Sequence, residues 1–230
     1  MIQNLQGGNM DFSIEWENIY KKNQHLSIWP WSDLVSYVSR YVNSKSSRLK
    51  VLELGCGAGA NIPYFLSLKS EYTSVEGSES IVNLLHEKFP QYQESIHVGD
   101  FTNFEFKKNY YDLVIDRGSL TCNTTSAIQR CLNNVYEAMK PGSQFIGIDW
   151  FSTKHSDFDK GSVVEDDIFT KMNIESGHLS NLGKIHFSDK QHLLDLFSKF
   201  DIQVLEHKTT KNELSNSYTI ASWNLVAKKM

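Results

Sequence analysis

No two cysteines of this chain stand in a Cys-x-x-Cys spacing. The three present, Cys56, Cys122 and Cys131, are odd in number. That excludes a disulfide framework and a zinc knuckle as organising devices and fits a reducing, cytoplasmic compartment. No apolar run reaches the roughly 18 residues of a membrane span, and residues 1–10 are polar, without the apolar core of a signal peptide. No membrane partner is expected. Basic excess is also lacking: the formal net charge is -4, and the pairs Lys21-Lys22, Lys107-Lys108 and Lys228-Lys229 are scattered. Nucleic acid, which needs clustered Lys and Arg, is therefore not expected as a partner. Internal repeats and low-complexity linkers are absent. What remains is a 230-residue chain, 40% hydrophobic, that suits a single α/β domain over 1–230.

Strand and helix patterns alternate along it, which predicts a parallel sheet with crossover helices. An amphipathic helix is expected over 12–22 (Phe12, Trp16, Ile19, Tyr20). A Trp29-Pro30-Trp31 elbow follows, then a helix capped by Ser32 with Leu34, Val35, Val38, Tyr41 and Val42 on its apolar face. Together 12–43 form a helical cap, and 43–48 a Ser-rich loop. Strands are expected at 49–54, 71–76, 94–98, 111–116 and 144–149. Helices are expected from Asn61, after Ser78 until Pro90, and over 125–139 until Pro141-Gly142. Residues 150–187 show no clean period and read as an insert shaping a substrate pocket. Ser188-x-x-Gln191 reads as a capping box before a helix with Leu193, Leu196, Phe197 and Phe200. Strands at 201–208 and 218–227, joined by a loop alone, imply an antiparallel last strand.

The densest chemical signal is Val51-Leu52-Glu53-Leu54-Gly55-Cys56-Gly57-Ala58-Gly59. A buried strand runs into a turn where glycines let a ligand lie against bare backbone. Gly55-x-Gly57-x-x-Ala60 also satisfies a relaxed dinucleotide pattern, so the turn alone does not choose between NAD and S-adenosylmethionine. Its surroundings do. Glu53, just before the turn, would repel a pyrophosphate and suits a cofactor with a cationic amino group. Glu76, ending the next strand, can accept from both ribose hydroxyls. Asp100 can accept from an adenine amino group while Phe101 lies against the ring, and Asp116 ends the fourth strand. In open α/β sheets the carboxyl ends of strands are where ligands bind.

These motifs, in order, resemble those of the class I S-adenosylmethionine-dependent methyltransferases. Residues 51–61 are similar to that family's first motif, Val75-Glu76-Gly77-Ser78 to the second, Val98-Gly99-Asp100-Phe101 to the third, and 111–117 to the fourth. Met139-Lys140-Pro141-Gly142-Ser143 resembles the turn before the fifth strand, with Ser143 where many members have a second glycine. The resemblance covers about 49–227. It implies a Rossmann-like, seven-stranded, mostly parallel sheet with an antiparallel last strand and helices on both faces. It also implies S-adenosylmethionine as cofactor. Gly55 and Gly57 would lie at its amino-acid moiety, Glu76 at its ribose, and Asp100 and Phe101 at its adenine.

The expected activity is methyl transfer to O or N of a small-molecule acceptor such as a sugar or secondary metabolite. An NAD-dependent oxidoreductase, a methyltransferase acting on protein or RNA, and a non-catalytic S-adenosylmethionine-binding protein stay open beside it. Catalytic candidates are His155, just past the fifth strand and suited to a general base, and Asp149 at that strand's end. No metal site is expected. Cys56 reads as a packing residue, Cys122 as a neighbour of the site. Trp29 and Trp31 either cover the site or wedge the N-terminal helices.

Overall fold

The computed structural model describes residues 14–22, 24–42, 48–214 and 218–230. Phe12, residues 1–10 and most of the Ser-rich loop lie outside them. The elements run α1 (Ile14–Lys21), α2 (Ser32–Tyr41), β1 (Lys50–Leu54), α3 (Ile62–Ser67), β2 (Glu71–Glu76), α4 (Glu79–Lys88) and β3 (Ile96–Val98). Then come β4 (Tyr111–Arg117), α5 (Thr125–Ala138), β5 (Met139–Phe151), β6 (Ser162–Val164), β7 (Asp167–Met172), β8 (Ile185–His186), α6 (Lys190–Leu196), β9 (Phe200–Lys211) and β10 (Thr219–Lys229).

Seven strands form one sheet in the order β3-β2-β1-β4-β5-β10-β9. β1 pairs parallel with β2 and β4, whereas β10 is antiparallel to both β5 and β9. Strands covered on both faces must be apolar nearly throughout, and Val51, Leu52, Leu54, Leu113, Val114 and Ile115 are fully buried. One face packs Leu52, Leu54 and Phe145 against Ile128, Leu132 and Val135 of α5 and Leu193 of α6. The other packs Val51, Leu113 and Ile146 against Leu34 and Val38 of α2, Phe65 of α3 and Leu85 of α4. The sheet is thus a two-sided core in which the carboxyl ends of the parallel strands β1–β5 reach one edge.

Three local expectations change. Ser32 is the first residue of α2, and the extended Trp31 is its N-cap with no side-chain bond. The fifth strand starts at Met139, so Pro141-Gly142 falls inside it: Tyr111 pairs with Met139 but Leu113 with Gln144. The chain bulges there, with Gly142 at φ +80°. The cap of α6 is Asp189, whose side chain accepts from the His192 amide. Ser188, one residue earlier, is held by backbone bonds to Phe151 and Thr153 beside β5, and its buried Oγ makes no capping bond. The insert folds as a separate sheet, β6-β7-β8, over a small core of Ile174, Leu179, Ile185 and Phe187.

Candidate active site

A cavity of about 520 Å³ opens over the carboxyl ends of β1, β2, β4 and β5. Its floor is the glycine turn. Gly55 takes φ +65° and Gly57 φ +48°, left-handed values that tax any residue with a Cβ. There is no room for one either. A Cβ on Gly55 would fall 2.4 Å from Ser119 Oγ, and one on Gly57 2.8 Å from the Tyr20 hydroxyl. Ser119 Oγ donates to the Gly55 carbonyl at 2.9 Å, tying the turn to the segment after β4.

Two buried carboxylates flank this turn. Glu76 accepts from the Gly57 amide at 2.8 Å and the Ser78 amide at 3.0 Å; burial pushes its pKa above the carboxylate norm, against those amides. Glu53 accepts from Tyr72 at 2.5 Å and Asn61 at 2.8 Å. Burial outweighs these donors and brings its pKa up to about 7. Asp100 accepts from the amide and hydroxyl of Thr102 and from Asn103. It lines the cavity with Phe101, so Glu53, Gly55, Gly57, Glu76, Asp100 and Phe101 are brought together on one wall.

Two expected residues lie off the wall. Asp116 is fully buried and its Oδ1 accepts from the Ser119 and Leu120 amides at 3.1 and 2.9 Å. It caps the short turn at 120–122 and does not line the cavity; burial raises its pKa to about 7. His155 is likewise absent from the wall. It is buried at 3% exposure beneath Phe151, Phe187, Tyr218 and His178. Its Nδ1 accepts from the Asp157 amide at 3.1 Å, so the ring is a structural pin of the insert. Burial pushes its pKa down. The causes differ: Asp116, still inside β4, is taken by the amides of the tight turn that follows it, whereas His155, four residues past the end of β5, turns back into the core of the insert.

Asp149 does line the cavity, but in company. Its Oδ2 is 3.3 Å from the Arg117 guanidinium, and its Oδ1 is 3.5 Å from Lys208 Nζ. Arg117, unremarked in the strand-end pattern, stacks 3.6 Å above the Trp31 ring. Trp31 therefore faces the cavity, while Trp29 is exposed away from it.

The roof is α1. Trp16 donates to Cys122 Sγ at 3.3 Å, Ser78 donates to Glu17, and Tyr20 stands over Gly57. Burial raises the Cys122 thiol to about 12 and the Cys56 thiol well up, so neither is a nucleophile at neutral pH. The same cavity wall has an apolar lobe made by Phe151, Leu179, Leu182, Ile185 and Ile220, of which Phe151, Leu179, Leu182 and Ile185 also belong to the small core of the insert. Tyr20, Ser119 and these apolar residues had no motif to betray them, since they come from distant segments. Among the described residues, no three His, Cys, Asp or Glu side chains gather as a metal ion would need.

Residues 51–142 match the family model described as a methyltransferase domain. The fold is similar to that of an S-adenosylmethionine-dependent methyltransferase from Methanosarcina mazei, at 15% identity and a TM-score of 0.67, covering 88% of this chain and 99% of that one. It is also similar to geranyl diphosphate C-methyltransferase from Streptomyces coelicolor A3(2), solved with Mg2+, geranyl diphosphate and S-adenosyl-L-homocysteine. There the identity is 10% and the TM-score 0.60, over 86% of this chain and 77% of that one. In sequence, a hybrid PKS-NRPS synthetase from Penicillium citrinum is 26% identical over 131 residues, 53% of this chain. The match spans 3% of that much longer protein.

Proposed function

We propose, from the premise that this chain carries a methyltransferase domain of the class I S-adenosylmethionine-dependent superfamily, that it methylates an oxygen or nitrogen of a small-molecule acceptor. The observation that carries the reading is the pairing, in one cavity wall, of an acid-flanked glycine turn with a set of apolar side chains.

The cofactor side fits. S-adenosylmethionine supplies an electrophilic methyl group on a sulfonium. Gly55 and Gly57 would hold its amino-acid end, close to the buried carboxylate of Glu53. Glu76, fixed by two amides, keeps lone pairs for the ribose hydroxyls, and Asp100 with Phe101 would hold the adenine. The buried carboxyl group of Glu53 beside the turn disfavours a pyrophosphate, since like charges repel, whereas Glu76 at the ribose would serve either cofactor.

The chain's own contribution to transfer is orientation and dryness. Trp16 and Tyr20 close the roof, and the apolar wall of the insert excludes water from the lobe. Asp149 and Ser222 are the polar groups of that lobe on β5 and β10; we assign Asp149 to positioning Arg117, and the acceptor to the space beside them.

Thermal shift of the purified protein with S-adenosylmethionine, S-adenosylhomocysteine and NAD, followed by methyl transfer to a panel of alcohols, sugars and amines, tests this. Stabilisation by the first two and methylation of a panel member are expected. A shift with NAD alone would overturn the reading; cofactor binding without transfer to any acceptor would favour a non-catalytic binding protein.

A further inference from the structure

We infer that the acceptor is an apolar molecule ending in an oxyanion, and that Arg117 selects it; this rests on the methyl-transfer reading above. Among the described residues, Arg117 is the one lysine or arginine in the cavity wall. It stands where β4 ends, between the glycine turn and the apolar lobe. Its guanidinium lies over the Trp31 ring at 3.6 Å and 3.3 Å from the Asp149 carboxylate. Those two contacts hold the side chain in place while leaving 34% of it exposed, so a ligand oxygen can approach it from the cavity it lines. The planar fork of arginine suits carboxylate and phosphate oxygens in particular.

The geometry around Asp149 supports the same assignment. Asp149 adopts φ +58°, a strained value for a residue with a Cβ. Its amide is anchored by Asn224 Oδ1 at 3.0 Å, and its Oδ1 also faces Lys208 and Ser222 at 3.5 Å. Asn224 and Lys208 in turn hold Asp33 of α2. The strain thus buys a fixed carboxylate that aims Arg117, and Asp149 shares its charge between two cations. Asp33, the other carboxylate of the network, is not in the cavity wall. A sulfonium bound nearby would add positive charge, so the loaded lobe favours an anion over a neutral head. The body of the acceptor then lies on Phe151, Leu179, Leu182, Ile185 and Ile220.

Octanoate, octyl phosphate and octanol serve as probes. Their binding to the S-adenosylhomocysteine-saturated protein is measured by calorimetry and by tryptophan fluorescence, with Trp31 as reporter. We expect at least one anion to bind about tenfold or more tighter than octanol. The ratio between octanoate and octyl phosphate tells carboxylate from phosphate. In Arg117→Gln the preference should collapse to within about twofold while S-adenosylhomocysteine affinity holds, and Arg117→Lys should restore only part of it. Equal binding of the three probes, or no binding of any, overturns the inference, and neither result needs a variant to fold. Failure of S-adenosylhomocysteine itself to bind would instead strike the methyl-transfer reading.

Discussion

The Gly57 amide donates to Glu76 Oε2 at 2.8 Å. The turn after β1 is thereby fastened to the acid that ends β2, and each fixes the other's place in the cavity. Glu76→Ala loses that fastening together with the proposed ribose bonds. Affinity for S-adenosylhomocysteine should fall by about 1–3 kcal/mol, roughly fivefold to 150-fold. Calorimetry on the folded variant decides it, and unchanged affinity would remove Glu76 from the site.

Gly55 faces a harder constraint, since its missing Cβ would meet both Oγ and Cβ of Ser119, at 2.4 and 2.5 Å. Gly55→Ala should lower unfolding free energy by about 1–3 kcal/mol through clash and left-handed strain together. Adding Ser119→Gly removes the clash but not the strain, so the double variant should recover part of the loss. Urea denaturation of the three proteins measures this. A single variant as stable as the parent would show that the turn can shift without cost.

Much of the fold was legible because a parallel sheet writes itself as short apolar runs. β2 matches its expected bounds at both ends, and β1 and β4 to within one residue. Glu53, Glu76 and Asp100 all line the cavity; the first two were readable from their places at the ends of β1 and β2, and Asp100 from its place two residues past β3. Asp116 was not, because its neighbours at 118–122 turn tightly enough to take its Oδ1 on two amides. Arg117 escaped because its role comes from Trp31, a long way off in sequence, and from the paired Asp149. The insert escaped because its strands are two to six residues long, too short for any period to show.

His155 carries a different expectation now that it lies under the insert. His155→Ala removes the acceptor of the Asp157 amide and an aromatic from a small core, costing about 1–3 kcal/mol. His155→Asn, whose Oδ1 can replace Nδ1, should recover part of that. Turnover per folded molecule should stay near the parent's in both. A loss of kcat with an intact melting curve would return His155 to the chemistry.

The last expectation concerns acid. Thr125 and Thr170 donate to the two oxygens of Asp167, at 2.9 and 2.7 Å. Thr170 has then spent its proton, so its oxygen takes the Nδ1–H of His186 at 2.9 Å. His186 Nε2 is left to accept from His192 Nε2, 3.1 Å away. This chain joins the insert to α5 and α6 with both rings neutral. Burial first, and then His192, bring the His186 pKa down to about 3, against the pull of Asp167. Burial lowers His192 too, against Asp167, Asp189 and Asp195. An unfolded histidine titrates near 6.5. Below that pH the unfolded chain takes up a proton that the folded chain refuses, so His186 subtracts stability as pH falls from about 6.5 toward 3, by up to about 1.4 kcal/mol per pH unit, and His192 acts in the same direction. Glu53 and Asp116, raised to about 7, act oppositely, adding stability as pH falls from about 7 toward their unfolded values. The net slope mixes both kinds of group, so the comparison must be between parent and variant. Unfolding free energies at neutral and mildly acid pH should drop less for His186→Gln than for the parent. Equal slopes would mean that the relay already accepts a proton in the folded state.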